Sequence, residues 1–219
     1  MICQRIVLFP GLGANARMYD GISAQISNIV VPPWLPVLNE DLSRYAQRYV
    51  DLGLVLPGDV IGGCSFGGAL AQEIAALLPV KKVLLIGSCR SSRGISPALR
   101  QLAPIAPWLP ITPQHARLAQ WPIALKFGAT QSQHRRVLHD MINKAEPRLI
   151  RWAIHALIHW RGCPPLTAPL AHVHGSRDQL MPATRSGADF IVPGAGHFIA
   201  VTHVKIVIAW MRQQLSIND

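Results

Sequence analysis

Residues 60–70 read Val-Ile-Gly-Gly-Cys-Ser-Phe-Gly-Gly-Ala-Leu and contain the pattern G-x-S-x-G at Gly63, Ser65 and Gly67. An apolar run precedes the pattern, and a segment of helix-forming residues follows it. A buried strand that turns sharply into a helix is the setting in which this pattern holds a serine side chain clear of the backbone. The two glycines leave space where larger side chains would collide with the turn. The stretch therefore predicts a strand, a strained turn at Ser65, and a helix.

Short apolar runs alternate with helix-forming segments along the rest of the chain, and turns containing Gly or Pro separate them. Runs that are apolar throughout are typical of parallel strands covered on both faces, so the pattern predicts an α/β fold. The predicted strands are 5–9, 28–31, 59–62, 82–87, 170–174 and 189–192, and the predicted helices are 18–26, 41–52, 65–78, 146–160 and 198–215.

The alternation stops between about Ser88 and Pro165, where a segment rich in Pro and Trp is followed by a helical pattern. A long segment between two strands of one sheet is expected to cover that sheet as a cap. We predict a core from residues 1–88 and 164–219 and a cap insertion from residues 89–163. The predicted cap helix at 146–160 places on one face Leu149, Trp152, Ala153, Ala156 and Trp160.

The formal net charge of +10 is concentrated in this insertion. Between Ser88 and Cys163 there are eleven Lys and Arg residues against two acids, Asp140 and Glu146. No Lys/Arg run and no nucleic-acid-binding signature accompanies them, so we expect no nucleic-acid partner. Two interpretations stay open: an ordinary solvated surface, or a basic surface beside the substrate entrance that favours an anionic substrate.

Length and composition indicate one globular domain: 219 residues, half of them apolar and 15% charged. No run of about 18 apolar residues suggests a membrane span, and the first ten residues do not resemble a signal peptide. The cysteines, four in all, form no C-x-x-C pair and no zinc-like spacing. We expect a cytoplasmic protein with reduced thiols, no metal and no membrane partner.

A nucleophilic serine needs a base and an acid to orient that base. Asp178 follows the predicted strand 170–174, and His197 follows a glycine-rich turn after the next predicted strand. Both would lie at the carboxyl ends of their strands, on the same side of the sheet as Ser65. The other acids between Ser65 and His197 lie on the helix after the serine, in the insertion or at the start of a strand: Glu73, Asp140, Glu146 and Asp189. The sequence predicts a Ser65–His197–Asp178 triad.

The remaining histidines receive structural interpretations. His155 and His159 are four residues apart and would share a helix face, as metal ligands can, but no third ligand is evident. His172, His174 and His203 are interpreted as structural. Cys64, one residue before the serine, is expected to point into the core.

The first glycine loop, Pro10 to Ala16, allows two interpretations. Its pattern G-x-G-x-x-A is also found where a dinucleotide phosphate binds at the start of a helix. That interpretation needs an acid at the end of the next strand, where this chain has Pro32-Pro33. The alternative is a loop whose Leu12 N–H stabilises an oxyanion, together with the Phe66 N–H at the start of the helix after Ser65.

These motifs in this order resemble the α/β-hydrolase superfamily, and among its members the small bacterial-type serine esterases and lactonases. The resemblance rests on Pro10-Gly11-Leu12-Gly13, Gly63-Cys64-Ser65-Phe66-Gly67-Gly68, Gly175-Ser176-Arg177-Asp178 and Gly194-Ala195-Gly196-His197-Phe198. It implies the α/β-hydrolase fold: a mostly parallel sheet of about six strands, lacking the N-terminal strands common in the superfamily, with an inserted helical cap. Many relatives carry His-Gly where this chain has Pro10-Gly11.

The resemblance and the triad together predict a carboxylesterase that acts on a small or medium acyl chain through an acyl-enzyme intermediate. No cofactor is expected, and the expected partner is a small ester-like molecule; the oligomeric state is left open. The same residues would also serve a lactonase, a thioesterase or a C–C bond hydrolase. A non-catalytic ligand-binding protein of the same fold is a further alternative.

Overall fold

The computed structural model describes residues 4–101 and 121–216, and within these ranges six strands form one parallel sheet. The order across the sheet is β2-β1-β3-β4-β5-β6, and every neighbouring pair is parallel. The fold is therefore α/β, as predicted. The strands are β1 Ile6–Phe9, β2 Ile29–Val30, β3 Val60–Cys64, β4 Lys82–Ile86, β5 Leu170–Gly175 and β6 Phe190–Val192.

Helices follow most strands and cover both faces of the sheet. They are α1 Asp20–Ser23, α2 Leu42–Asp51, α3 Phe66–Leu77, α4 Pro97–Gln101, α5 Ser132–Lys144, α6 Pro147–His159, α7 Ala183–Ser186, α8 Ile199–Thr202 and α9 Val204–Leu215. Residues 121–127 are also helical, and two short 3-10 helices span Ala16–Tyr19 and Ser92–Gly94. None of the described helices is long and apolar enough to cross a membrane.

Alternate residues of the central strands enter two separate hydrophobic cores, one on each face of the sheet. In β1, Ile6 and Leu8 join the core that includes α9, whereas Val7 and Phe9 join the core beneath α2 and α3. Successive side chains of a strand point to opposite faces, so a strand buried on both faces must be apolar throughout. This explains the continuous apolar runs in the sequence.

The insertion lies between β4 and β5, and its helix α6 packs on α2 and α3. Trp152 of α6 stacks at 4.5 Å from the ring of Tyr45, and its indole N–H donates a 2.8 Å hydrogen bond to the carbonyl of Glu40. On the predicted buried face, Leu149, Ala153 and Trp160 are buried, and Trp152 is half-buried. The described part of the insertion thus packs on the helices that cover this face of the sheet.

Two predicted helices differ from the structure. The predicted helix 18–26 is replaced by the 3-10 turn Ala16–Tyr19, whose N-terminus is capped by the Asn15 side chain, and the four-residue α1. The predicted final helix is broken at His203, which separates α8 from α9. Just before this break, the Thr202 hydroxyl donates to the Phe198 carbonyl, and a threonine bound to the preceding turn in this way bends helices.

Candidate active site

The turn after β3 holds Ser65 in a conformation that few residues adopt. Its φ is 51° and its ψ is −121°, so the helix α3 begins at once with Phe66. The Ser65 carbonyl accepts hydrogen bonds from the Gly68 N–H at 3.0 Å and from the Ser88 hydroxyl at 2.7 Å. A non-glycine residue with positive φ persists only when the surrounding structure fixes it. Ser65 is therefore held as a strained, half-buried turn residue.

Glycines are required on both sides of this turn. A Cβ at Gly67 would lie 2.3 Å from the carbonyl oxygens of both Phe9 and Pro10. A Cβ at Gly63 would lie 2.5 Å from the Gly67 carbonyl carbon. The first glycine loop and the serine turn therefore touch through their backbones, which brings the loop at Pro10 to Gly13 beside Ser65.

Ser65, His197 and Asp178 are brought together at hydrogen-bond distances. The Nε2 of His197 lies 2.9 Å from the Ser65 Oγ, and the Nδ1 of His197 lies 2.6 Å from the Asp178 Oδ2. Because a carboxylate only accepts, the Nδ1 carries the ring proton and the Nε2 lone pair faces the serine hydroxyl. Asp178 and His197 are both buried, whereas Ser65 is half-buried.

Asp178 is held by three hydrogen bonds and by a fourth close contact. Its Oδ1 accepts from the N–H groups of Leu180 and Met181 at 2.8 and 2.9 Å. Its Oδ2 is shared by His197 and by the Nε2 of His174 at 3.2 Å. Burial by itself raises the pKa of the Asp178 carboxyl, but His197 and these hydrogen bonds outweigh it and hold the pKa well below its usual range. The carboxyl is thus a fixed anion behind the imidazole.

The two predicted oxyanion donors, Leu12 and Phe66, belong to the segments that meet at Ser65, the first glycine loop and α3. Among the described residues, neither the Leu12 N–H nor the Phe66 N–H has a hydrogen-bond partner. Phe66 is the first residue of α3, where the helix dipole favours negative charge. The Leu12 loop is held in turn by the Gly11 N–H, which donates to the Met18 sulfur at 3.3 Å. Two unpaired N–H groups on adjoining segments are what the predicted oxyanion hole requires.

Tyr19 links the first glycine loop to the serine turn. Its hydroxyl donates a 2.7 Å hydrogen bond to the Phe9 carbonyl and accepts one of 3.0 Å from the Cys64 N–H. Cys64 itself is buried, as predicted, and burial raises the pKa of its thiol to about 12. A thiol in this state is not a nucleophile at neutral pH.

The helical segment 121–127 contacts the histidine loop. The ring of Phe127 lies edge-on to the His197 ring with centroids 5.2 Å apart, and the Phe127 carbonyl accepts a 2.9 Å hydrogen bond from the Phe198 N–H. Beside it, a Cβ on Gly128 would come 3.0 Å from the Gly196 Cα. The insertion therefore borders the candidate triad directly.

Several residues that contact the candidate triad were not assigned to the site from sequence, among them Ser88, His174 and Phe127. His174, interpreted from sequence as structural, contacts Asp178. A signal was available for it, since His172 and His174 alternate in a buried strand and must point to the same face. Ser88 and Phe127 carry no local sequence signal, because their contacts join segments far apart in the chain.

The other candidate groups lie elsewhere. His155 and His159 stack at 4.2 Å on α6, and the described residues contain no group of three His, Cys, Asp or Glu side chains that could hold a metal. Asp140 pairs with Arg17 and Lys144 on the surface. Asp189 precedes β6 and accepts a hydrogen bond from the His172 N–H, at the opposite end of the strand from the triad.

Solved structures similar to this chain have the same fold at low sequence identity. An esterase from Thermogutta terrifontis superposes with a TM-score of 0.78 and 16% identity, covering 97% of this chain and 89% of the other. An enol-lactonase from Burkholderia xenovorans gives 0.77 and 17%, covering 99% and 92%. A hydrolase from Oleispira antarctica gives 0.76 and 13%, covering 98% and 92%. A comparison with curated proteins finds no match.

A family model described as the alpha/beta hydrolase family matches residues 6–210. The match includes the first glycine loop, the serine turn and both downstream loops, so the dinucleotide-binding interpretation of residues 10–16 is set aside. The parallel six-stranded sheet and the solved structures that cover nearly the whole chain agree with this match. The chain belongs to the alpha/beta hydrolase family.

Proposed function

We propose that this hydrolase is a carboxylesterase that cleaves esters of small or medium acyl chains through a Ser65 acyl-enzyme. The observation that carries the proposal is the Ser65 Oγ, held on a strained turn 2.9 Å from a His197 Nε2 whose other nitrogen is bound to the Asp178 carboxylate. A serine hydroxyl becomes a nucleophile when a base accepts its proton during attack. This geometry provides that base.

In acylation, the Ser65 Oγ forms a bond to the ester carbonyl carbon while its proton passes to the His197 Nε2. The negative charge moves to the carbonyl oxygen, where the N–H groups of Leu12 and Phe66 donate to it. Asp178 stabilises the imidazolium without taking its proton. Collapse of the tetrahedral intermediate breaks the bond to the alkoxy oxygen, which takes the proton from His197 and leaves as an alcohol.

In deacylation, water takes the place of the serine hydroxyl. His197 accepts a proton from the water as its oxygen attacks the acyl carbon, and the same two N–H groups hold the second oxyanion. Breakdown releases the carboxylic acid and returns the proton to the Ser65 Oγ. The cycle consumes one ester and one water and produces one acid and one alcohol.

The surroundings of the triad favour an apolar acyl group of limited size. Phe127 borders His197, and a Cβ on Gly13 would lie 3.2 Å from the Ala145 Cβ and 4.0 Å from the Ile150 Cδ1. Side chains of the insertion thus approach the first glycine loop closely, leaving little room for a bulky group there. Apolar walls with few polar groups are typical of small-molecule sites.

A lactonase is the second candidate, and the observation that favours it is the similarity to the enol-lactonase structure. A lactone is a cyclic ester, so the same acylation would open the ring and keep the alcohol attached to the acyl group. Comparing kcat/KM for an open-chain ester and for a lactone of equal carbon number separates the two functions. A preference of at least tenfold for the lactone would assign the second function.

The first test measures hydrolysis of p-nitrophenyl acetate, butyrate and octanoate by the parent protein and by Ser65→Ala. We expect turnover by the parent and a loss of about a thousandfold or more in the variant. Ser132→Ala, which changes an exposed serine of α5, is the matched control and is expected to retain parent rates. Equal rates in the parent and Ser65→Ala would show that Ser65 is not the nucleophile.

A covalent readout supports the kinetic test. A fluorophosphonate reacts with an activated serine and adds a fixed mass to it, and we expect the label on the peptide that contains Ser65. Labelling should be absent in Ser65→Ala and strongly reduced in His197→Ala. Label on a different serine, with none on Ser65, would contradict the proposal.

A further inference from the structure

Strands β1 and β3 run parallel as far as the two segments that carry the predicted oxyanion donors. Their register ends at the pair Phe9 and Gly63. At the start of their backbone hydrogen-bond ladder, the Val60 N–H donates to the Arg5 carbonyl at 3.1 Å. The first glycine loop follows β1, and Ser65 follows β3. The contacts at the end of this ladder therefore decide how the loop and the serine turn are placed.

The ladder has a regular continuation. Groups that face the same neighbouring strand recur at every second residue. From Arg5 and Val60, this repeat leads to the Phe9 carbonyl with the Cys64 N–H, and then to the Gly11 N–H with the Cys64 carbonyl. A chain that followed this repeat would extend β1 through the first glycine loop.

The Leu12 N–H would face the wrong side if β1 were extended in this way. The Ile6 N–H donates to the Asn28 carbonyl at 3.0 Å, so even-numbered residues of β1 direct their N–H groups toward β2. An extended Leu12 would do the same and would present its N–H away from β3. In the structure the chain turns instead, and the Ala14 N–H donates to the Gly11 carbonyl at 2.9 Å. Leu12 lies inside that turn.

Two buried side chains bind the backbone groups at the end of the ladder. The Tyr19 hydroxyl donates to the Phe9 carbonyl at 2.7 Å and accepts from the Cys64 N–H at 3.0 Å. The Gly11 N–H donates to the Met18 sulfur at 3.3 Å, and the described part of the chain contains no bond from it to the Cys64 carbonyl. The sulfur thus occupies the donor that an extended strand would use.

One short element supplies both side chains. Met18 and Tyr19 are neighbours in the 3-10 helix Ala16–Tyr19, and both are buried. The Asn15 side chain caps this helix by accepting from the Arg17 N–H at 3.1 Å. Burial raises the pKa of the Tyr19 hydroxyl well above its usual range, so the hydroxyl keeps the proton that it donates. The two contacts are therefore fixed together.

We propose that Met18 and Tyr19 are positioning residues that release the first glycine loop from the β3 ladder and so turn the Leu12 N–H toward the oxyanion. The inference rests on the proposed function, in which this N–H and that of Phe66 hold the negative charge. Tyr19 joins the ends of the two strands through one oxygen atom. Met18 binds the Gly11 N–H, so the loop can bend directly after it.

Tyr19→Phe tests the role because it removes the hydroxyl and keeps the ring. The substrates are p-nitrophenyl butyrate and its thionoester, in which sulfur replaces the carbonyl oxygen. Sulfur accepts hydrogen bonds weakly, so oxyanion donors accelerate the oxygen ester more than the thionoester. We expect kcat/KM to fall about thirtyfold for the oxygen ester and about threefold for the thionoester. The ratio of the two values should therefore fall about tenfold.

A purely structural loss would lower both values together, because both substrates react through the same proposed triad. Tyr49→Phe is the matched control. Tyr49 is buried, and its hydroxyl also donates to a carbonyl, that of Pro33 at 3.0 Å, and accepts from an N–H, that of Leu35 at 3.3 Å. Neither group belongs to the candidate oxyanion segments. We expect Tyr49→Phe to lower the urea midpoint about as much as Tyr19→Phe and to keep the parent ratio.

Met18→Leu tests the second contact and serves in place of Tyr19→Phe if that variant does not fold. It keeps most of the side-chain volume and removes the acceptor of the Gly11 N–H. A sulfur acceptor is weak, so we expect the ratio to fall only about threefold. Met18→Gln restores an acceptor and should retain more of the parent ratio. The parent ratio in Tyr19→Phe, or in Met18→Leu where Tyr19→Phe does not fold, would overturn the inference.

The rate at which a fluorophosphonate labels Ser65 separates this inference from the proposed function, because labelling needs no ester turnover. The phosphoryl oxygen takes the place of the ester oxyanion, so labelling of Tyr19→Phe should be about tenfold slower than labelling of the parent. Tyr49→Phe should react at the parent rate. Slowed labelling without ester turnover by the parent would refute the carboxylesterase function alone. Equal labelling of the parent and Tyr19→Phe would refute the positioning role, and an unreactive parent would refute both.

Discussion

The hydroxyl of Ser88 donates a 2.7 Å hydrogen bond to the backbone carbonyl of Ser65. This bond ties the segment after β4 to the strained turn after β3, because Ser88 lies two residues beyond the end of β4. A Cβ on Gly68 would lie 2.4 Å from the same hydroxyl, so the serine fits tightly beneath the turn. The conformation of Ser65, the proposed nucleophile, thus depends on a neighbouring strand as well as on its own loop.

Replacing Ser88 by Ala is therefore expected to lower both stability and activity. The Ser65 carbonyl keeps the bond from the Gly68 N–H but loses the stronger partner, so the protein should lose about 1 kcal/mol of unfolding free energy. We expect kcat on p-nitrophenyl butyrate to fall about tenfold while KM changes little, since the turn positions Ser65, the proposed nucleophile. Urea unfolding and steady-state kinetics measure the two effects. Unchanged kcat would show that the turn holds without Ser88.

Gly67→Ala is expected to disrupt the serine turn. The new Cβ would overlap the carbonyl oxygens of Phe9 and Pro10, and backbone atoms have no alternative rotamer to adopt. We expect a loss of about 3 kcal/mol or more in unfolding free energy and no measurable esterase activity.

Gly53→Ala is the matched glycine control. Gly53 has a positive φ of 63°, but a Cβ added there would meet nothing within 4 Å, so the substitution adds only backbone strain. We expect a loss of about 1 kcal/mol and parent kinetics. If Gly67→Ala and Gly53→Ala had similar effects, the contact of a Cβ at position 67 with the Phe9 and Pro10 carbonyl oxygens would not be what excludes a side chain there.

Acid should weaken the fold partly through Asp178. Its pKa is depressed in the folded protein, so the unfolded chain takes up a proton first as the pH falls. The stabilisation is complete above the unfolded carboxyl pKa of about 4 and is lost as the pH falls below it. Denaturant unfolding between pH 7 and pH 3 should show a smaller fall in stability for Asp178→Asn than for the parent. An identical fall in both proteins would exclude Asp178 as a source of acid sensitivity.

The same Asp178→Asn variant is expected to lose activity by about three to four orders of magnitude at neutral pH. An amide can donate a hydrogen bond to the Nδ1 of His197, which favours the tautomer with the ring proton on Nε2. The Nε2 then faces Ser65 with a hydrogen and can no longer accept the serine proton. Kinetics with p-nitrophenyl butyrate measure the loss. A loss below tenfold would mean that another group orients the imidazole.

Glu73→Gln should stabilise the protein at high pH. Burial raises the pKa of the Glu73 carboxyl, and the hydrogen bond from the Trp160 indole, 2.5 Å long, only partly offsets that effect. A carboxyl with a raised folded pKa destabilises the native state once it ionises, so stability falls as the pH rises through that pKa. The amide still accepts from Trp160 and carries no charge.

We therefore expect Glu73→Gln to gain more stability over the parent at pH 8 than at pH 5, measured by urea unfolding. Trp160→Phe is the companion variant. It removes the donor and leaves the carboxyl unpaired, so it should lose about 1 to 3 kcal/mol at pH 8. A gain for Glu73→Gln that is equal at both pH values would contradict this account.

The strands, and the meeting of the three candidate triad side chains, can be predicted from sequence because their signals are local. A strand buried on both faces must be apolar, and the triad residues each follow a strand, so chain order alone places Ser65, Asp178 and His197 at one edge of a parallel sheet. The break at His203 cannot be predicted in this way, because a helical pattern continues through it. The 3-10 turn after Asn15 cannot be predicted either, because a capped 3-10 turn and an α-helix place apolar residues at the same positions.

The surroundings of the triad cannot be predicted, for a physical reason. Ser88 acts through a hydrogen bond to the Ser65 carbonyl, so its partner depends on which strands are neighbours in the sheet. His174 contacts Asp178 and Met181 of the loop that follows its own strand, and the conformation of that loop decides those contacts. Sequence periodicity indicates which face a residue occupies but not what lies opposite it. A structural interpretation of His174 is reasonable for a buried strand residue, and its contact with Asp178 is visible only once β5 lies beside the loop at 178–181.

The close contact of Gly128 with Gly196 has a consequence for recombining this protein with its relatives. A Cβ at Gly196 would lie 2.9 Å from both the Gly128 Cα and the Phe127 carbonyl oxygen, so neither position tolerates a side chain while the other segment stays in place. A chimera that receives a foreign insertion must therefore also receive a compatible loop ahead of His197. The insertion and the histidine loop form one exchangeable unit, although 68 positions separate the two glycines in the chain.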